Sequence, residues 1–267
     1  MTSSRPVGVF DSGIGGLTVA QEIMRQLPAE SIVYFGDTAR VPYGPKSPDS
    51  VRRYSREIAS FLRQQDVKAI VVACNTATAH ALADLRETAD IPVIGVVEPG
   101  ARAAVRASRG GHIGIVGTAG TVRSGAYERA IQALLPGARV TARACPLFVP
   151  LVEEGWIDHA VTRAVAEEYL APLLADGMDT LVLGCTHYPL LKPLLCAIVG
   201  RDVALIDSAA ETAGELGRLL RERQLEAPEG TVASHRFVAS DDPLQFLQLG
   251  QRFLGNAIEG VEIHTFA

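Results

Sequence analysis

The chain has 267 residues, a net charge of −5, 48% hydrophobic and 21% charged residues. These are the proportions of an ordinary soluble globule with room for one large or two modest domains. The acidic balance argues against the basic stripe of a nucleic-acid binder, and no apolar run approaches the roughly 18 residues of a membrane span.

In chain order, strand and helix patterns alternate almost throughout, the signature of a layered α/β architecture with mostly parallel sheets. The first strand is expected over 7–11, early enough that no signal peptide is expected and a cytoplasmic location is. A helix over 17–27 and a strand over 31–36 follow, then a loop over 37–46 rich in Gly and Pro. Ser47 and Pro48 form a helix-start signature for a helix running to about 65. The pattern continues with a strand over 69–73, a helix over 76–88 and a strand over 93–97 that ends at Glu98-Pro99-Gly100. It then restarts with a helix from about 101, strand 112–117, helix 122–135 and strand 139–144. Helical stretches around Leu151 and over 158–175 lead to strand 180–184, helix 190–199 and strand 203–206. A helix over 208–223, a polar linker, strand 235–239, helix 243–254 and strand 261–265 close the chain. The expected organisation is two similar, open, mostly parallel sheet domains with flanking helices, one comprising 1–98 plus 209–267 and the other 99–208, with a cleft between them where a ligand site is expected.

Residues 69–76 read AIVVACNT and residues 180–187 read TLVLGCTH, with the two cysteines 111 positions apart. Each is an apolar run of buried-strand length that ends in a small residue, a cysteine and polar side chains. Cys74 and Cys185 therefore stand at the carboxyl ends of strands, where open α/β sheets place their ligands. Two matching thiols suit a reaction worked from opposite sides, as in a racemase. The other two cysteines, Cys145 and Cys196, read as small buried hydrophobes. There is no Cys-x-x-Cys pair, so neither a zinc site nor any other metal is expected. A thiol just ahead of a helix, such as Cys74, is expected to have a lowered pKa. His187, two residues beyond Cys185, can take its proton or hydrogen-bond its thiolate.

Residues 7–17, VGVFDSGIGGL, form a strand, a glycine-rich turn and a helix start. The turn is neither a Walker loop nor a dinucleotide fingerprint. It reads equally as an anion-facing backbone turn or as a tight strand-to-helix connection, and Asp11 at the strand end suits an ammonium group better than a phosphate. Pyridoxal chemistry requires a Schiff-base lysine. Lys46, Lys68 and Lys192 are placed in a loop, a polar helix–strand turn and a helix, away from the cysteines, so no cofactor is expected.

The Phe-Asp-Ser-Gly-x-Gly-Gly entry, Asp37 with Val41-Pro42-Tyr43-Gly44, Ala73-Cys74-Asn75-Thr76-Ala77, Gly117-Thr118-x-x-Thr121 and Gly184-Cys185-Thr186-His187-Tyr188-Pro189 resemble glutamate racemases in kind and order over nearly the whole chain. The resemblance implies cofactor-independent interconversion of L- and D-glutamate, which supplies D-glutamate for peptidoglycan. It implies that Cys74 and Cys185 are the acid/base thiols, with Asp11, His187 and Glu153 as their polar partners. It further implies substrate contacts at Asp11, Ser12, Tyr43, Gly44, Asn75, Thr76, Thr118, Thr121, Thr186 and His187. The implied partner is a small molecule, glutamate, with no nucleic acid and no membrane. The family forms several dimer arrangements, and no sequence feature selects a homodimer or its interface. The alternatives are a racemase of a related amino acid such as aspartate, or a non-catalytic amino-acid binding module.

Overall fold

Buried apolar strands and one-sided helices alternate along the chain. The computed structural model describes residues 2–266, and of Asn256 the backbone alone. The first run comprises β1 (Val7–Asp11), α1 (Leu17–Gln26), β2 (Ile32–Gly36), α2 (Pro48–Gln64), β3 (Ala69–Val72), α3 (Asn75–Thr88) and β4 (Val93–Gly95). The second comprises α4 (Val97–Ala107), β5 (His112–Gly117), α5 (Ala119–Ser124), α6 (Ala126–Leu134), β6 (Arg139–Ala144), α7 (Phe148–Glu153), α8 (Ala160–Ala175), β7 (Thr180–Gly184), α9 (Lys192–Val199) and β8 (Ala204–Ile206). The chain closes with α10 (Ala209–Glu222), β9 (His235–Ala239), α11 (Pro243–Leu254) and β10 (Glu262–Ile263).

The strands form a six-stranded sheet in the order β10-β9-β2-β1-β3-β4 and a four-stranded sheet in the order β6-β5-β7-β8. Every strand pairing among the described residues is parallel. Parallel strands need helical crossovers, which cover both faces of a sheet and make its strands apolar throughout. In the first sheet the side chains alternate accordingly. Val7, Val9, Ile32 and Tyr34 pack under α1, α10 and α11, whereas Phe10, Val33, Phe35 and Val72 pack under α2 and α3. The second sheet is sandwiched in the same way, with α4 and α6 on one face and α7, α8 and α9 on the other. The helix that follows β8, α10, packs on α1 of the first sheet.

Four expectations change. The helix expected from about 101 begins at Val97, because Pro99 falls in the first turn, where a missing N–H breaks no helical bond. The helix expected over 122–135 is two helices, broken at Gly125, whose φ of +63° is left-handed. Cys145 is buried as expected, but Cys196 is exposed, since α9 buries Leu194, Leu195 and Val199 on its other side. Lys68 is not in a solvated turn. It is fully buried, pairs with Glu30 at 2.5 Å and donates to the Ser3 carbonyl at 2.8 Å. No helix among the described residues is long and apolar enough to cross a membrane.

Breaking a buried pair leaves an uncompensated charge, at a cost of about 3–5 kcal/mol. Lys68→Met should therefore destabilise the protein by about that amount in urea unfolding. The double variant Lys68→Met/Glu30→Leu should recover a large part of the loss; a double variant no more stable than the single one would contradict this account.

Candidate active site

The site begins where β1 ends. The Asp11 carboxylate is completely buried and accepts the Gly13 N–H at 3.0 Å, while Tyr34 donates to the Gly13 carbonyl at 2.9 Å. The glycines of this turn serve close approach. A methyl group at Gly16 would lie 2.5 Å from the Asp11 Cβ, and one at Gly15 would lie 2.4 Å from Thr186 Oγ1 and 2.5 Å from His187 Nδ1. The turn is thus pressed against the end of β7 in the other sheet, where Thr186 Oγ1 reaches Asp11 Oδ1 at 3.4 Å.

Cys74 follows β3 and caps α3, its Sγ accepting the Ala77 N–H at 3.5 Å and standing 3.7 Å from Ser12 Oγ. Cys185 follows β7, its Sγ 3.9 Å from His187 Nδ1. The far nitrogen of His187, Nε2, lies 3.1 Å from Glu153 Oε1 on α7. Both thiols are nearly buried and face one small, tight cavity. The loop between β2 and α2 closes one wall. Tyr43 is held there by its hydroxyl, which donates to the buried Asp37 carboxylate, itself paired with Arg40 at 2.7 Å. Next to this loop, where a methyl at Gly44 would lie 2.8 Å from Thr118 Cβ, Thr76, Thr118 and Thr121 form a triangle of hydroxyls 2.8–3.2 Å apart.

Cys74 departs from the sequence expectation. Burial, followed by the charge of Asp11, pushes its thiol up to about 12, and the Ala77 N–H and Ser12 hydroxyl offset this only in part. Burial also raises the Asp11 carboxyl, against the opposing effect of His187. For His187, burial alone would pull the imidazole down. Its hydrogen bonds to Cys185 and Glu153, with the charges of Cys185 and Asp11, outweigh burial and raise it to about 10. At neutral pH a positive imidazolium therefore stands beside one thiol, and an acidic side chain lies near the other, protonated thiol.

Of the residues named from the sequence, Ser12, Tyr43, Gly44, Cys74, Asn75, Thr76, Thr118, Cys185, Thr186 and His187 line the cavity. Asp11, Thr121 and Glu153 stand behind it, touching Thr186, Thr118 and His187 respectively. The sequence reading missed Val149, which comes from α7 and was legible only as a residue of a helical stretch. It also missed Tyr127, a buried tyrosine on α6 that donates to Asn75 Oδ1 at 2.7 Å. None of the three lysines lines the cavity.

The raised imidazole links stability to pH. His187 rises from about 6.5 unfolded to about 10 folded, so its contribution is fully present below about pH 6.5 and is lost as pH rises through about 10. The urea-midpoint advantage of the wild type over His187→Asn should shrink between those limits. An advantage unchanged across that window would contradict the paired imidazolium.

A family model described as Asp/Glu/hydantoin racemase matches residues 7–216. Glutamate racemase of Geobacter metallireducens is 53% identical over 257 residues, covering 96% of this chain and 95% of its own. Among solved structures, a glutamate racemase isoform from Bacillus anthracis superposes with a TM-score of 0.93 at 44% identity, covering 98% of this chain and 97% of its own. Glutamate racemase from Francisella tularensis in complex with D-glutamate superposes with a TM-score of 0.92 at 38% identity and 98% coverage of both chains. By the family model and by identity over nearly its whole length, the chain belongs to the Asp/Glu/hydantoin racemase family.

Proposed function

We propose that the protein interconverts L- and D-glutamate by proton transfer at Cα between two cysteines, without a cofactor. The observation that carries this reading is the pair of thiols, one from each sheet, facing a single cavity with different polar partners. The relatives named above are glutamate racemases, and one was solved with D-glutamate. Four free cysteines suit a reducing cytoplasm. D-glutamate made there would serve peptidoglycan synthesis, as the family relationship implies.

For L-glutamate, the thiolate of Cys185 takes the α-proton, leaving the electron pair on Cα. Cys74 delivers its proton to the opposite face of that carbon, and its thiolate then carries the charge. For D-glutamate the two exchange roles. The high value of Cys74 supports its part as the acid toward the L enantiomer. His187 supports the Cys185 side, because an imidazolium hydrogen-bonds a thiolate. Glu153 holds the far side of that ring. Asp11, Thr121 and Glu153 act through the residues they touch, while Ser12, Tyr43, Gly44, Asn75, Thr76, Thr118 and Thr186 supply the donors and walls that grip the amino acid. An enclosed site with fixed dipoles lowers the barrier to forming a carbanion.

Incubation with L-glutamate should bring the circular dichroism of the solution to zero. A signal that does not decay would overturn the proposal, and faster decay with L-aspartate would reassign the substrate. Cys74→Ser and Cys185→Ser should each lose about 10²-fold or more in racemisation, the scale of acid–base contributions, whereas Cys145→Ser and Cys196→Ser keep most of it. With glutamate analogues that eliminate a leaving group after one deprotonation, Cys74→Ser should still act on the L form and Cys185→Ser on the D form. Equal losses on both forms in both variants would favour a single base. Gly15→Ala should fold but lose about 10²-fold in rate, because the added methyl displaces Thr186 and His187; wild-type turnover would contradict the close approach.

A further inference from the structure

Asn75 carries an unmet donor. Its side chain is 3% exposed and lines the cavity, and its Nδ2 has no hydrogen-bond partner among the described residues. A buried amide NH2 without an acceptor is costly, so the position is built for one that arrives from outside. What turns the amide this way comes from the other half of the molecule. Tyr127, in the first turn of α6, donates its hydroxyl to Asn75 Oδ1 at 2.7 Å. The Ser208 hydroxyl hydrogen-bonds the same phenol. Two glycines make room for this tyrosine: a methyl at Gly100 would lie 3.1 Å from its Oη and 3.2 Å from Ser208 Cβ, and one at Gly184 would lie 3.1 Å from its Cε2.

A phenol has a single hydrogen to give. Here that hydrogen goes to Asn75 Oδ1, which leaves the NH2 of the same amide for a group in the cavity. We propose that Tyr127, backed by Ser208, is a positioning residue that orients the Asn75 carboxamide to receive a carboxylate of the bound amino acid. This rests on the assignment of Asn75 to the substrate made above. The phenol also sits between Gly100 and Ser208, close to the two places where the chain passes from one sheet to the other. The carboxylate contact is therefore set from the junction of the two halves.

A double-mutant cycle tests this. Tyr127→Phe should raise KM for L-glutamate about 5- to 10-fold, the scale of one hydrogen bond, with kcat within about twofold. In an Asn75→Ala background the same substitution should leave KM unchanged, because the group through which it acts is gone. An unchanged KM for Tyr127→Phe beside a damaged Asn75→Ala overturns the proposal alone, as does an equal rise in both backgrounds. Wild-type KM in Asn75→Ala overturns the substrate assignment of Asn75 and the proposal with it. Should Tyr127→Phe fail to fold, Ser208→Ala runs the same cycle. A rise in KM confined to the Asn75 background supports the relay, and an equal rise or none overturns it.

Discussion

The close approach of two strand ends is the constraint on which the rest depends. The turn after β1 and the segment after β7 meet at Gly15, where no side-chain carbon fits between the backbone and the Thr186 and His187 side chains. Asp11 and Thr186 touch across the same seam. Parallel sheets gather their loops at the carboxyl ends of the strands. Pressing two such ends together turns two shallow crevices into one enclosed cavity. Each sheet contributes a cysteine from the same position of its own crevice.

Matched placement does not bring matched electrostatics. Cys74 shares its surroundings with a buried carboxyl and keeps its proton, while Cys185 has a protonated imidazole at hand. Glu153, reaching in from α7, makes the difference durable by hydrogen-bonding the outer nitrogen of that imidazole. Burial does two jobs here. It raises the thiol and the carboxyl, and it opposes the charge on the histidine, where the hydrogen bonds to Cys185 and Glu153 and the neighbouring charges outweigh it.

Much of this was legible in the sequence because it rests on short-range patterns. Apolar runs of strand length marked β1, β3, β5 and β7, and the two Cys segments located both thiols at strand ends. Other features depend on what meets what. Glu98-Pro99-Gly100 looks like a break, yet a proline in a first turn loses nothing and the helix continues through it. Cys196 lies in an apolar run, but α9 turns Leu194, Leu195 and Val199 inward and leaves it exposed. The dipole at the start of α3 suggested an acidic thiol, whereas the depth of burial, which sequence does not record, dominates. Tyr127 and Val149 sit in unremarkable helices, and only the folded arrangement brings them to Asn75 and the cavity.

The order of strands in the first sheet also bears on how the chain is made. β2 lies between β1 and β9, and its register with β9 joins Ile32 to His235, 203 residues later. On a ribosome, β1 to β4 and then the whole second sheet emerge before β9 can take its place. During that interval the Ile32–Gly36 edge, apolar on both faces, offers unpaired backbone groups to any neighbouring strand. Contacts of such long sequence separation form slowly. Assembly of this protein is thus most vulnerable to aggregation through β2 until the last few dozen residues arrive, and α10, β9 and α11 are what complete the sheet and cover its core.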